Sequence, residues 1–242
     1  MKLAGQAIRI STLLLTLPLA VQAEDFPVKA SANLALTSNY VWRGFTQTNE
    51  DPAIQGGFGF NHESGASLSV WGSNVKFLED ETVSPEDRAD LEFDVSLGYE
   101  KQLPTGTSYK AGYTYYSYPG AGSDLNYNFS ELTLGLGYTT QGIGTSLSYS
   151  YAPDFFGGVG KAHHYDLTIN YTYPNKGVGL EGQIGQQTFK DNEKAGDDYL
   201  HYSLSVFYLY SDVKVSLSYS NTDLDKVEAA KDQVFFTLSK SF

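Results

Sequence analysis

Residues 91–99 read LEFDVSLGY, and this stretch decides the fold class because apolar and polar residues alternate along its whole length. The apolar set is Leu91, Phe93, Val95, Leu97 and Tyr99, separated by Glu92, Asp94, Ser96 and Gly98. Successive side chains of an extended chain point to opposite faces. The pattern therefore predicts a β-strand with different surroundings on its two sides.

The same period of two returns along most of the chain. It is clearest in 132–138, 145–151, 163–173, 200–210, 213–219 and 234–242. Further strands are predicted at 34–42, 54–60, 66–70, 109–115 and, with the weakest pattern, 178–187. About twelve strands are expected in total.

The connections between these strands alternate in length. Short links rich in Gly, Pro and Asn lie at 61–65, 101–106, 140–144, 174–177 and 211–212, and longer polar links at 43–52, 77–90, 119–126, 152–162, 190–198 and 221–231. This alternation predicts an all-β fold, a transmembrane antiparallel up-and-down β-barrel with short periplasmic turns and longer extracellular loops. A soluble β-sandwich also alternates. Strands of about ten residues and apolar rows that end in aromatic residues favour the membrane.

The N-terminus predicts export. Lys2 and Arg9 precede the apolar run 13–20, and Val21-Gln22-Ala23 is a small-residue cleavage site, so residues 1–23 are predicted to be a signal peptide and 24–242 the barrel. The expected location is the bacterial outer membrane. The alternating last strand ends at Phe242, and we expect the barrel-assembly machinery to recognise it.

Composition excludes several classes of function. The formal net charge is −12 and falls to −14 once the signal and its two basic residues are removed, which argues against nucleic-acid binding. The chain has no Cys, so it has no disulfide, thiolate metal site or Cys nucleophile. Outer-membrane lipid, lipopolysaccharide and small hydrophilic solutes are the expected partners. The acidic segment 79–87 is expected to be a solvated outer loop, and weak divalent-cation binding that bridges to lipopolysaccharide is the alternative.

The inward-facing rows carry the functional signal. The predicted pore-lining residues are Arg43, Glu92, Asp94, Lys110, Glu131, Asp166, Glu181 and Lys214. Inward Gly112, Gly135, Gly137 and Gly185 are expected to leave space. Twelve strands lie between the filled eight-stranded and the open sixteen-stranded barrels, so a narrow acidic lumen is expected. It favours passive diffusion of small cations and neutral molecules.

Aromatic residues at the strand ends predict an interfacial girdle. Its proposed members are Tyr40, Trp42, Tyr138, Tyr151, Tyr173, Tyr210, Tyr219 and Phe242. Arg43 directly follows the predicted strand 34–42 and has the opposite phase to Trp42. We therefore expect Arg43 to point inward at the pore mouth, close to acidic partners and not stacked on Trp42.

Neither a metal site nor a catalytic set is predicted. His163 and His164 point to opposite faces of their strand and cannot bind one metal ion together. Ser, His and Asp are present, but their spacing does not single out a hydrolytic set, so an enzyme and a cofactor are not expected. The alternatives to a diffusion channel are a closed structural or surface-binding barrel and, second, an outer-membrane hydrolase.

The N-terminal part of the barrel region resembles a known family. The segments 38–47 (SNYVWRGFTQ), 52–58 (PAIQGGF), 62–65 (HESG) and 71–75 (WGSNV) resemble the TorF family of porins, also known as the bacterial Gcw_chp proteins. The specific match covers roughly residues 31–77, and the rest is similar in length, Tyr-rich alternation and terminal Phe242. The resemblance implies a Gram-negative outer-membrane barrel. It implies no particular substrate and no catalytic residues.

Overall fold

The computed structural model describes residues 27–79 and 82–242, so the predicted signal peptide lies outside the described residues. In chain order the strands are β1 (Val28–Thr37), β2 (Val41–Trp42), β3 (Phe45–Thr46), β4 (Ala53–His62), β5 (Ala66–Asn74), β6 (Leu91–Gln102), β7 (Thr107–Ser117), β8 (Phe129–Thr140), β9 (Ile143–Ala152), β10 (Ala162–Thr172), β11 (Val178–Phe189), β12 (Tyr199–Tyr210), β13 (Val213–Thr222) and β14 (Gln233–Ser241). One helical turn, α1, spans Asn192–Ala195, and 3₁₀ turns span Pro85–Asp87, Ser123–Leu125, Phe156–Gly158 and Glu228–Ala230.

Twelve of these strands form a closed antiparallel barrel. Each strand from β4 to β14 pairs with its neighbour in sequence, and β1 closes the ring by pairing with both β4 and β14. Leu36 illustrates the closure, since it lies opposite Ile54 on one side and Leu238 on the other. The last residue joins the same seam, where the Phe242 amide donates to the Ala32 carbonyl at 2.9 Å. The predicted up-and-down barrel is confirmed.

The two faces of each strand have opposite chemistry. The outward rows carry large exposed apolar side chains, for example Leu134, Leu204 and Leu217, each more than half exposed. The inward rows carry Ser, Thr, Gln and charged residues, and many of these are buried in the half of the barrel nearest the long loops. A belt of this kind is stable in contact with lipid tails. In the described part of the chain, no helix is both long and apolar enough to span a membrane.

The connections follow the predicted alternation. Short turns lie at 63–65, 103–106, 141–142, 173–177 and 211–212, and long loops at 38–52, 75–90, 118–128, 153–161, 190–198 and 223–232. The turn at 141–142 shows the usual chemistry of a two-residue hairpin, because Gln141 and Gly142 both have positive φ, 45° and 83°. The long loops gather at one end of the barrel, which is the extracellular end if the short turns are periplasmic.

The first long loop differs from its prediction. Strand β1 ends at Thr37, and residues 41–46 form a separate two-stranded hairpin, β2–β3, in which Trp42 lies opposite Phe45. Arg43 and Gly44 make its turn with φ of 49° and 85°. The chain returns where the Gln47 amide donates to the Tyr40 carbonyl at 2.6 Å. The prediction of one strand through 34–42 was wrong beyond Thr37, because the hairpin folds into the barrel.

Candidate functional site inside the barrel

The tip of the β2–β3 hairpin is fixed to the inner wall of the barrel. The Arg43 guanidinium donates to both carboxylate oxygens of Glu131 on β8, at 2.9 and 2.8 Å, and to Gln187 Oε1 on β11 at 3.0 Å. The Arg43 and Glu131 side chains are only 9% and 3% exposed. A two-pronged, buried contact of this kind is among the stronger hydrogen-bonded ion pairs. The hairpin tip therefore occupies the lumen and connects to β8 and β11.

The prediction for Arg43 was correct in one respect and wrong in another. Arg43 does point into the lumen toward an acidic partner. It lies at the tip of an inserted hairpin and not on a barrel strand, and its Cζ sits 4.2 Å from the centroid of the Trp42 ring. The predicted separation from Trp42 was wrong because neighbouring side chains point apart only in extended chain, and Arg43 has a left-handed backbone.

Tyr40 and Trp42 are not part of an outer girdle. Tyr40 contacts Trp71 inside the barrel at a centroid distance of 5.6 Å. Trp42 stacks on Phe155 at 6.1 Å and also packs against Phe129. Both belong to an aromatic cluster formed by the hairpin, strand ends and long loops. The outward phase of β1 does not extend to Tyr40 and Trp42, because the strand ends at Thr37 and the chain then leaves the barrel wall.

The other predicted girdle residues lie on the outer surface. They are Tyr138, Tyr151, Tyr173, Tyr210, Tyr219 and Phe242. Tyr210 and Phe242 are 71% and 68% exposed and lie near the short-turn end. Tyr151, at the opposite end, contacts the His163 ring at 5.3 Å. Aromatic side chains therefore stand on the outward rows at both ends of the barrel, while their membrane role stays a prediction.

Two buried carboxylates on β6 lie beside the hairpin. Glu92 accepts a hydrogen bond from the Tyr118 phenol at 3.1 Å. Within the described residues, Glu92 Oε2 and Asp94 Oδ1 lack a protein partner. Burial, together with the Glu92 carboxylate, raises the pKa of the Tyr40 and Tyr118 phenols well above the ordinary value, so both remain hydrogen-bond donors. These groups form a polar part of the lumen wall. Water or a small polar solute would supply the hydrogen bonds that the two carboxylate oxygens lack.

The remaining predicted lumen residues lie nearer the short-turn end. Lys110 lies over Gly135 and fills the space that this glycine leaves. Lys214 places its Nζ 4.4 Å from the centroid of the Phe207 ring. Glu181 is half-buried and lies opposite Asn170 and Ser205. The structure thus puts all eight predicted residues inside, but divides them between the hairpin level and the short-turn half.

Sequence reasoning missed a second buried cluster, which Asp166 shares with two histidines. His164 and His201 stack at a centroid distance of 5.1 Å, and their Nε2 atoms are 2.8 Å apart. Asp166 accepts hydrogen bonds from Thr168 at 2.9 Å and from Gln183 at 2.8 Å. Pairing across β11 brings these residues together. The sequence did carry one signal, since His164 and Asp166 are two residues apart on one strand and therefore share a face.

Above the hairpin, the long loops enclose a vestibule of about 850 Å³. Its lining combines aromatic rings, including Trp42 and Phe155, with acidic side chains from the loops. Glu79 is one of these, and its prediction as a solvated residue was wrong. Its side chain is almost fully buried and accepts hydrogen bonds from the Ala89 amide and the Tyr127 phenol. The hairpin contributes Trp42, Phe45 and Thr46 to the lining of the vestibule.

The family is shown by comparison with known proteins. The chain belongs to the family described as bacterial protein of unknown function (Gcw_chp), whose model matches residues 21–242. The predicted Gcw_chp resemblance is confirmed, and the TorF designation stays a prediction. No curated protein matches the chain significantly.

Solved porins share the fold at low sequence identity. The KdgM porin is 10% identical with a TM-score of 0.59, and the alignment covers 88% of this chain and 98% of KdgM. KdgM in complex with disordered oligogalacturonate gives a TM-score of 0.57 at the same identity, covering 88% and 97%. OmpF of Salmonella typhi in complex with daunomycin gives 0.50 at 10% identity, covering 89% and 97%. These likenesses support a porin-like barrel.

Proposed function

We propose that this member of the Gcw_chp family is an outer-membrane porin through which small hydrophilic solutes diffuse, with the inserted β2–β3 hairpin as its constriction. The observation that carries the proposal is the polar lumen of a closed barrel, occupied at one level by a hairpin tip. Solutes would enter through the loop vestibule, pass the Arg43–Glu131 contact, and leave at the short-turn end. The porin-like fold supports this route.

The size limit follows from the hairpin. A twelve-stranded barrel lies between barrels filled by side chains and wide channels. An extra hairpin fills the passage at one level in this conformation, where its Arg43 side chain is buried against Glu131, so the opening that it leaves on moving sets the size limit. Passage at this level requires the hairpin to move, because the side chains of Glu131, Gln187 and His201 around it are almost fully buried.

The charge preference follows from the lumen walls. Inward acidic residues are Glu92, Asp94, Glu100, Glu131, Asp166 and Glu181, and inward basic residues are Lys29, Lys110 and Lys214, with Arg43 on the hairpin. Glu131 is neutralised by Arg43. Glu100, Asp166 and Glu181 balance the three lysines, so Glu92 and Asp94 supply the acidic excess when they are ionised. Fixed charges along a narrow passage bias which ions enter. Cations and neutral solutes are therefore the expected substrates.

Planar bilayers provide the test. We expect purified protein to give discrete conductance steps in KCl and a reversal potential in a salt gradient that indicates K⁺ preference over Cl⁻. Liposome swelling should be faster with neutral or cationic solutes than with anionic ones of equal size. An anion-selective channel would contradict the charge argument. If neither the wild type nor the hairpin deletion described in the Discussion conducts, the proposed porin function is contradicted.

One substitution tests the lumen charge directly. Glu181→Gln removes a half-buried inward carboxylate below the hairpin, and we expect it to reduce the K⁺ preference by about twofold because one fixed charge contributes only part of the lumen field. Glu86→Gln, in the outer loop 75–90, is the matched control and should leave selectivity unchanged. Equal effects of both substitutions would point to general surface charge and against a selective lumen.

The second candidate is a closed barrel that binds a partner at its surface. It is favoured by the same buried Arg43–Glu131 pair, which closes the lumen in this conformation. A closed barrel gives no conductance in the wild type at any voltage tested, and binding would depend on the long loops. Conductance steps in the wild type would exclude it.

A further inference from the structure

We propose that His164, His201 and Asp166 form a binding site for a late first-row divalent cation, such as Zn²⁺, on the inner wall of the barrel. The inference does not rest on the proposed porin function, because it concerns a side-chain cluster whose occupancy is measured without solute flux.

The donor atoms converge on one point. His164 Nε2 and His201 Nε2 are 2.8 Å apart, and a carboxylate oxygen of Asp166 completes a set in which all ligand atoms lie within 4.8 Å of one another. All three residues are buried. Imidazole nitrogens and a carboxylate are a set that suits Zn²⁺ and its neighbours in the first transition row.

The strand register explains why they meet. His164 and Asp166 are two residues apart on β10 and therefore share the inward face. Asp166 lies opposite Gly185 of β11, and Gly185 lies opposite His201 of β12. A Cβ atom at position 185 would collide with the Nε2 atoms of both imidazoles. The missing side chain at Gly185 thus forms the slot in which histidines from non-adjacent strands touch.

The expected space at Gly185 is therefore occupied. Elsewhere the inward rows are built mainly from Ser, Thr and Gln, which satisfy polar neighbours without converging rings. Without a cation, one imidazole of the pair must donate its Nε2 proton to the other, so a single hydrogen bond is made where two strong ligands point together. Tetrahedral coordination at about 2.0–2.1 Å requires the nitrogens to separate by roughly half an ångström, a small adjustment.

The surroundings also suit a cation. Thr168 and Gln183 each donate to one oxygen of Asp166, which orients the carboxylate as outer hydrogen bonds do around metal ligands. Arg43 is the nearby positive charge, and both oxygens of Glu131 neutralise it. With neutral imidazoles, the cluster carries the single negative charge of Asp166. A divalent cation is therefore attracted, and an open ligand position remains for water.

Metal titration of the untagged, chelator-treated protein is the test. We expect calorimetry to show one bound equivalent of Zn²⁺, and bound Co²⁺ to show visible d–d absorption. The electron paramagnetic resonance spectrum of bound Cu²⁺ should show superhyperfine splitting from two nitrogens. His201→Gln should weaken Zn²⁺ binding by about 100-fold or more, because it removes a direct ligand. Removing a residue that only hydrogen-bonds a ligand already lowers metal affinity by about 10–100-fold. His163→Gln, on the opposite face of the same strand, should bind as the wild type does.

Glycine variants guard against a folding artefact. Gly185→Ala keeps every ligand but fills the slot, and it should abolish the Co²⁺ spectrum. Gly182→Ala on the same strand has open space around its Cβ position and should preserve the spectrum. The difference in gel migration between heated and unheated samples checks that each variant has folded into a barrel. The proposal is overturned if folded wild type gives no Co²⁺ spectrum, or if His163→Gln or Gly182→Ala lowers affinity as much as its partner variant.

Discussion

Deleting residues 41–46 and joining Tyr40 to Gln47 through one glycine is expected to raise the single-channel conductance at least about fivefold, because it empties a barrel whose strand number permits a pore. The two ends already meet, since the Gln47 amide donates to the Tyr40 carbonyl at 2.6 Å. The deletion removes no barrel strand and no residue of the β1–β4 pairing. Its effect should therefore be confined to the lumen.

The physical reason is volume and charge together. The hairpin carries Trp42, Arg43 and Phe45 into the lumen, where Phe45 packs against Tyr199 at 5.2 Å. Its removal exposes the Glu131 carboxylate to water in the passage. We therefore expect K⁺ preference to increase along with conductance.

A smaller deletion in another long loop is the control. Replacing residues 84–87, which contain the 3₁₀ turn Pro85–Asp87 of the loop 75–90, by two glycines leaves the hairpin and its contacts in place. Conductance of this control should equal that of the wild type. If the hairpin deletion folds and conducts no better than the control, the hairpin is not the constriction.

The second large effect concerns the ion pair that holds the hairpin. Arg43→Met leaves the buried Glu131 carboxylate without its charged partner, and breaking a buried pair in this way costs about 3–5 kcal/mol if the hairpin stays docked. The hairpin is therefore expected to undock and admit water to Glu131. A red shift and greater quenching of Trp42 fluorescence report this, measured in a Trp71→Phe background because the chain has two tryptophans.

A double-mutant cycle isolates the pair. Arg43→Met, Glu131→Gln and the double variant should show a coupling free energy of about 2–3 kcal/mol in hairpin docking, derived from fluorescence during urea titration, because the two residues contact each other directly. Lys76→Met, which breaks the exposed pair with Asp51 at 2.6 Å, is the control and should change docking by less than about 1 kcal/mol. Additive effects of Arg43→Met and Glu131→Gln would contradict a fixed hairpin.

Much of the barrel could be predicted because its signals are local. The alternation in 91–99 and 200–210 is a direct consequence of lipid on one side and a polar lumen on the other, so phase alone placed Glu92, Asp94 and Leu204 correctly. Turn chemistry and loop length gave the up-and-down order. The strand 178–187, the weakest pattern, is confirmed as β11 because both of its neighbours provide ladder partners.

The hairpin shows where phase stops being informative. The segment Val41-Trp42-Arg43-Gly44-Phe45-Thr46 places an X-Gly turn between two short pairs of strand-favouring residues, which is itself a hairpin signal. If the segment is instead taken as a continuation of β1, the alternation places Tyr40 and Trp42 on the outer surface. The chain instead turns inward because Glu131 and Gln187, far away in sequence, offer Arg43 its partners.

The sequence by itself determined the barrel, its strand order and the face of each strand residue, since these depend on a period of two and on neighbouring turns. The tertiary structure alone decided the inward fold of the hairpin and the meeting of His164 with His201. Both depend on which residues a closed barrel brings face to face across its lumen or across an intervening strand. That proximity arises from closure and register, which join positions that no local pattern relates.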